Sequence, residues 1–142
     1  MEDKEILQNR LSLLLGYLEE FQEFIDIKYD DYHQSNKNRR TVERLIELIV
    51  ECASDIAGNI LNNYNVIPES YYQSFSLLGE MGILDKQFSK ELAKFGGLRN
   101  RIIHEYGSYK DEIVFSQIKP CFDSFKKFYQ KIIHYIQHPK MP

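Results

Sequence analysis

Leu98-Arg99-Asn100-Arg101-Ile102-Ile103-His104-Glu105-Tyr106 closes the segment on which the fold turns. Upstream of it, Phe88, Leu92, Phe95, Leu98, Ile102 and Ile103 recur at three- and four-residue spacing, the period of one helix face. Asp85 suits the N-cap, so a helix is predicted over about 85–106, ending before Gly107. On a wheel turning about 100° per residue, the apolar positions other than Leu98 lie within about 60° of Arg99. A guanidinium therefore sits in the middle of a core stripe. That placement is costly unless the charge is paired or opens onto a polar cleft. Glu51 and Asp55 are the candidate carboxylates for a buried pair. Gly96-Gly97 interrupts the same helix at about 1.6–2 kcal/mol against alanine, as where a second backbone comes close or the helix bends.

The same period governs the rest of the chain. Leu7, Leu11, Leu14, Leu15, Leu18, Phe21, Ile25, Tyr29 and Tyr32 predict a first helix over about 3–32, with the polar run 33–38 as a short connector to an antiparallel neighbour. Val42, Leu45, Ile46, Ile49, Ala53, Ile56 and Ile60 predict a second helix from Arg39 or Thr41 to Asn62. Its far side carries Arg40, Arg44, Glu47, Glu51 and Asp55, which reads either as a solvated face or as the lining of a cleft or subunit contact. Ser70 caps a short helix over about 71–80. Gly107-Ser108-Tyr109 reads as a turn, and a final helix runs from Lys110 or Asp111 to about His138. It keeps its stripe in phase through Pro120 as one kinked helix or two nearly collinear ones. No stretch alternates with period two. The prediction is an all-α, up-and-down bundle of about five helices forming a single domain over 1–142.

Composition narrows the function. The 142 residues carry 18 basic and 21 acidic side chains, a net charge of -3, which argues against a general polyanion-coating protein but leaves room for a local phosphate site. Cys52 and Cys121 form neither a CxxC motif nor a Cys/His ligand cluster and are expected as buried free thiols. No metal site and no cofactor are expected. The acidic start of the chain and the lack of a long apolar run predict a cytoplasmic protein without membrane contact.

His104 lies about 140° from Arg99 on the wheel, whereas Asn100 and His104 share a face and Tyr106 returns to the arginine's side. Arg99 and His104 converge on one substrate if the helix deforms, if the arginine wraps round, or if two copies face each other. His104 also has a structural reading, since an imidazolium complements the C-terminal end of a helix. Tyr106 has one as a core tyrosine at the edge of the bundle.

Arg99-Asn100-x-x-x-His104-x-Tyr106 resembles the Arg-x4-His-x-Tyr motif of the HepT toxins, within the HEPN superfamily of small helical ribonucleases. The stretches 41–47 and 51–55, Pro68-Glu69-Ser70-Tyr71 and Met81-Gly82-Ile83-Leu84-Asp85 resemble the same family. The resemblance implies the toxin of a type VII HEPN/MNT toxin–antitoxin pair, acting as a homodimer whose two motifs form one cleft. It implies metal-independent RNA cleavage by attack of the ribose 2′-OH on the adjacent phosphate. Arg99 would hold the phosphate, His104 would act as general base or acid, and Asn100 would orient the histidine or donate to the phosphate. Arg44, Glu51, Asp55 and Arg101 are candidate cleft residues, Arg101 being either a steering charge or a solvated one. The implied partner is an MNT-type nucleotidyltransferase antitoxin that modifies Tyr106 with AMP. The alternative is a non-catalytic HEPN module that binds and assists a nucleotidyltransferase.

Overall fold

The computed structural model describes residues 2–104 and 108–139. Within them lie six helices and no strand: α1 (Glu2–Gln22), α2 (Tyr29–Gln34), α3 (Asn36–Asn62), α4 (Tyr71–Glu80), α5 (Lys86–His104) and α6 (Ser108–Gln137). The all-α expectation holds. The count rises from about five to six because the first predicted helix divides. Its apolar stripe stays in phase through Phe21 and Tyr32, both fully buried, but the backbone leaves the helix after Gln22. Glu23, Phe24 and Ile25 donate to the carbonyls three residues back, which tightens the last turn. Lys28 is extended, and α2 restarts at Tyr29.

The expected connector 33–38 is also mostly helical. Ser35 caps α3, its Oγ accepting from the Asn38 N–H at 3.1 Å, so α3 begins at Asn36 rather than Arg39 or Thr41. It ends at Asn62 as predicted. Asn65, at φ 60°, then reverses the chain while the Val66 N–H reaches the Leu61 carbonyl. Ser70 caps α4 through the Gln73 N–H, and Asp85 caps α5 through the Phe88 N–H, each at 3.1 Å. These two N-termini match the sequence reading to within a residue.

The central element is α3, which packs against all five other helices and buries Val42, Leu45, Ile46, Ile49, Ala53, Ile56 and Ile60. It also buries Val50, Cys52, Ala57 and Leu61, so its apolar surface spans well over one stripe. Arg10 of α1 meets Asn59 of α3, whereas the C-terminal end of α1 leads back to the start of α3, so the two run antiparallel. Glu43 pairs with Lys110 at one end and Tyr64 with Tyr135 at the other, so α3 and α6 run parallel. The core centres on Phe75, Phe95, Phe125 and Phe128, whose rings meet edge-on at 5.4–6.2 Å. Cys52 and Cys121 are buried free thiols, as expected. Pro120 lies inside one helix, α6, on an exposed position. Leu15, placed in the α1 stripe by its spacing, is 39% exposed instead.

Candidate active site

Gly96 and Gly97 do not break α5. A Cβ on Gly96 would stand 2.9 Å from the Tyr71 Cβ and 3.5 Å from the Tyr72 backbone nitrogen. The glycine therefore lets α4 seat directly on α5, which is the close approach the sequence raised. That contact fixes Tyr71, whose ring lies under the Arg99 guanidinium at 4.9 Å.

Arg99 has two further partners. Its Nε and Nη2 both donate to Oε2 of Glu51 at 3.4 Å, and its Nη1 donates to Oδ1 of Asn100 at 3.2 Å. The Arg99 side chain is 21% exposed and Glu51 34% exposed. Both readings of the stripe charge therefore hold at once: it is paired, and it faces outward. Glu51 belongs to a row, Glu43-Glu47-Glu51-Asp55, spaced every four residues along α3. Lys110 pairs with Glu43 at 2.7 Å, Arg44 with Glu47 at 3.0 Å and Arg99 with Glu51. At the fourth step Arg10 donates to the Asp55 carbonyl at 3.3 Å. Besides Arg44 of α3 itself, the helices α1, α5 and α6 thus each bring a cation to this ridge.

His104 is exposed at the last described residue of α5, about 7.5 Å along the axis from Arg99. Tyr106, the candidate modification site, lies outside the described residues. Asn100 is exposed and lines a cleft of about 1080 Å³, together with Asp55. The cleft runs between the start of α1, the C-terminal half of α3, residues 66–72 and one face of α5. Arg44 is turned to Glu47 and is not among the residues lining it. Arg101 is exposed on the other side of α5, in a groove shared with Ile113 and Gln117 of α6. Asn59, Asn62 and Tyr72 of the cleft were not singled out from the sequence, where a polar residue on a helix reads as solvated. Among the described residues, no three His, Cys, Asp or Glu side chains cluster to hold a metal ion, and no helix is long and apolar enough to cross a membrane.

A family model for ribonuclease HepT-like proteins matches residues 14–132. The chain belongs to the ribonuclease HepT-like family. This HepT-like chain is 33% identical over 133 residues to the tRNA nuclease HepT of Aphanizomenon flos-aquae, covering 92% of this chain and 90% of that one. It is 25% identical over 128 residues to the mRNA nuclease HepT of Shewanella oneidensis, covering 87% and 93%. Its fold superposes with a TM-score of 0.81 on a tri-AMPylated Shewanella oneidensis HEPN toxin in complex with MNT antitoxin. That likeness spans 91% of this chain and 97% of that one at 24% identity, and it shows the shared fold. The family read from Arg99-Asn100-x-x-x-His104-x-Tyr106 and the stretches before it is thereby met.

Proposed function

We propose that this HepT-like chain is the toxin of a HEPN/MNT pair, an endoribonuclease whose complete site forms from two copies of the chain. The observation that carries this reading is Arg99. It is held by Glu51 and Asn100 over the Tyr71 ring, with 21% of its side chain exposed, five residues before an exposed His104. A guanidinium so held meets a phosphodiester and stabilises charge developing on its oxygens. The roughly 140° between Arg99 and His104 keeps one copy from presenting both groups to one phosphate on a straight helix. A second copy related by a two-fold axis supplies the complementary half.

In this reaction the ribose 2′-oxygen attacks phosphorus while one His104 takes its proton. The P–O5′ bond breaks, and the leaving oxygen takes a proton from the His104 of the second copy. The products are a 2′,3′-cyclic phosphate and a 5′-hydroxyl, and no metal is needed because the two side-chain types supply both proton transfer and charge stabilisation. DNA lacks the 2′-OH and is no substrate. The nucleotidyltransferase partner transfers AMP from ATP to the Tyr106 hydroxyl, releasing pyrophosphate, and the new phosphate fills the anion site beside Arg99.

The test is His104→Ala. The variant keeps the helical circular-dichroism spectrum and the mass of the parent in solution but loses RNA cleavage and growth inhibition. Retained cleavage removes His104 from the mechanism. A purified, unmodified parent that binds a nucleotidyltransferase and cleaves no RNA supports the non-catalytic module instead. Mass spectrometry after incubation with ATP and the nucleotidyltransferase reads AMP on Tyr106 directly.

A further inference from the structure

We propose that the cleft beside Asn100 is a subsite for an unpaired nucleobase of the RNA strand, stacked on Tyr72 next to the phosphate held at Arg99. The proposal rests on the ribonuclease reading and extends it from a phosphate site to a base site. Four observations converge on it.

First, the cleft begins where the phosphate site ends. Tyr71 and Asn100 both touch Arg99 and both line the cleft. Second, its mouth is apolar and aromatic. Of the five large hydrophobic side chains exposed among the described residues, Tyr72 (59%), Ile67 (79%) and Ile6 line this one cleft. An exposed aromatic ring is a stacking platform for any base. Third, the polar lining suits a neutral ligand. Asn62 offers a whole amide, and Asn59 and Asn100, whose oxygens already accept from Arg10 and Arg99, still offer amide N–H donors to the acceptor edges of bases. Arg10 and Lys94 are offset by Asp55 and Glu69, and Arg10 is already committed to Asn59 and to the Asp55 carbonyl. A second phosphate gains little there, whereas a flat uncharged heterocycle loses nothing. Fourth, two glycines keep the walls bare without serving the fold. A Cβ on Gly58 or on Gly97 would meet nothing within 4 Å, and neither has a positive φ. Both sit inside helices, where glycine is weaker than alanine. The volume, about 1080 Å³, lies just above the range of small-ligand sites, roughly 300–1,000 Å³, so a base fills only part of it.

The experiment measures binding of a single-stranded oligoribonucleotide by fluorescence anisotropy in the His104→Ala background, with cleavage by the parent followed in parallel. Adding Tyr72→Ala removes the stacking platform, and adding Gly58→Met fills the cleft from α3. Each is expected to weaken binding roughly five-fold or more, the lower end of one lost base stack. Tyr72→Phe keeps the ring and stays within about two-fold of the background. An oligonucleotide with one abasic position loses affinity for the background protein but not for the Tyr72→Ala form. Tyr72 is exposed and Gly58 has room for a side chain, so circular dichroism and solution mass should match the parent. Affinities unchanged in both variants overturn the subsite and leave the ribonuclease reading intact. Affinity lost together with a change in solution mass assigns the cleft to a subunit contact and overturns it as well. A parent that binds the oligonucleotide without cleaving it counts against the ribonuclease reading alone. A parent that neither binds nor cleaves overturns both.

Discussion

Gly96 and Gly97 are adjacent, share one helix and one intrinsic propensity, and differ in what surrounds them. Replacing either with alanine gains about 0.8–1 kcal/mol from helix propensity and reduced freedom of the unfolded chain. At Gly97 the new methyl meets nothing within 4 Å, so the gain stands. For a chain of this length it raises the melting temperature by about 3–5 °C. At Gly96 the methyl falls 2.9 Å from the Tyr71 Cβ, an atom tied directly to the backbone, and 3.5 Å from the Tyr72 nitrogen. No side-chain rotation relieves that clash, so α4 and α5 must part. Overpacking of this kind costs about 1–3 kcal/mol. Gly96→Ala is therefore neutral to about 2 kcal/mol destabilising, from the 1–3 kcal/mol clash less the propensity gain. The two variants should differ by about 1–3 kcal/mol in urea unfolding followed by circular dichroism at matched protein concentration. The displacement also moves Tyr71 from under Arg99, so RNA cleavage should fall in Gly96→Ala by more than its stability explains. A stability gap under about 0.5 kcal/mol, against the 1–3 expected of overpacking, would refute the argument that α4 seats on the α5 backbone.

Glu51→Gln keeps the shape of the Arg99 partner and removes its charge. RNA should bind tighter with a steeper salt dependence, while stability changes by less than about 1 kcal/mol because the pair is partly solvated. Weaker binding in that variant would show that Glu51 orients Arg99 more than it competes for it. Burial pushes the Cys52 thiol up to about 11 and the Cys121 thiol up as well. In the folded protein both stay protonated where an unfolded thiol, with a pKa of about 8.5, ionises. Their contribution to stability is thus full below about pH 8.5 and fades as pH rises toward 11. Urea unfolding at pH 7 and pH 10 should show the loss, and a thiol reagent at pH 8 should label the native protein far more slowly than the unfolded one.

The helix faces of α3, α4 and α5 were legible from spacing and caps alone, down to Ser70 and Asp85 as N-caps. The break after Gln22 was not, because Phe21, Ile25, Tyr29 and Tyr32 stay in phase across it and no glycine or proline marks it. The break follows from tertiary packing. Tyr32 is drawn fully inside, where its ring meets Phe115 and its hydroxyl finds no partner. His33 and Arg39 close on Asp111 beside it, tying α2 to the start of α6. The early start of α3 did carry a signal, Ser35 followed by Asn38, but it was submerged in a run of turn-forming residues. At the site, the sequence offered Glu51 or Asp55 for Arg99, and choosing between them required the depth at which α5 crosses α3. The cleft itself was illegible, because Asn59, Asn62 and Tyr72 come from two helices that only the fold brings together.

The carboxylate of Glu51 gives the site a threshold. Free phosphate, nucleotides and organic acids crowd the inside of any cell, and an uncovered guanidinium would spend its time with them. If Arg99 is the phosphate site proposed above, a small anion must displace the tethered Glu51 carboxylate to reach it. A nucleic-acid strand arrives with neighbouring phosphates and bases already tethered to the one that reaches Arg99, so the exchange favours it. Under the proposed ribonuclease reading, the Glu51–Arg99 pair thereby favours a polymer over small anions.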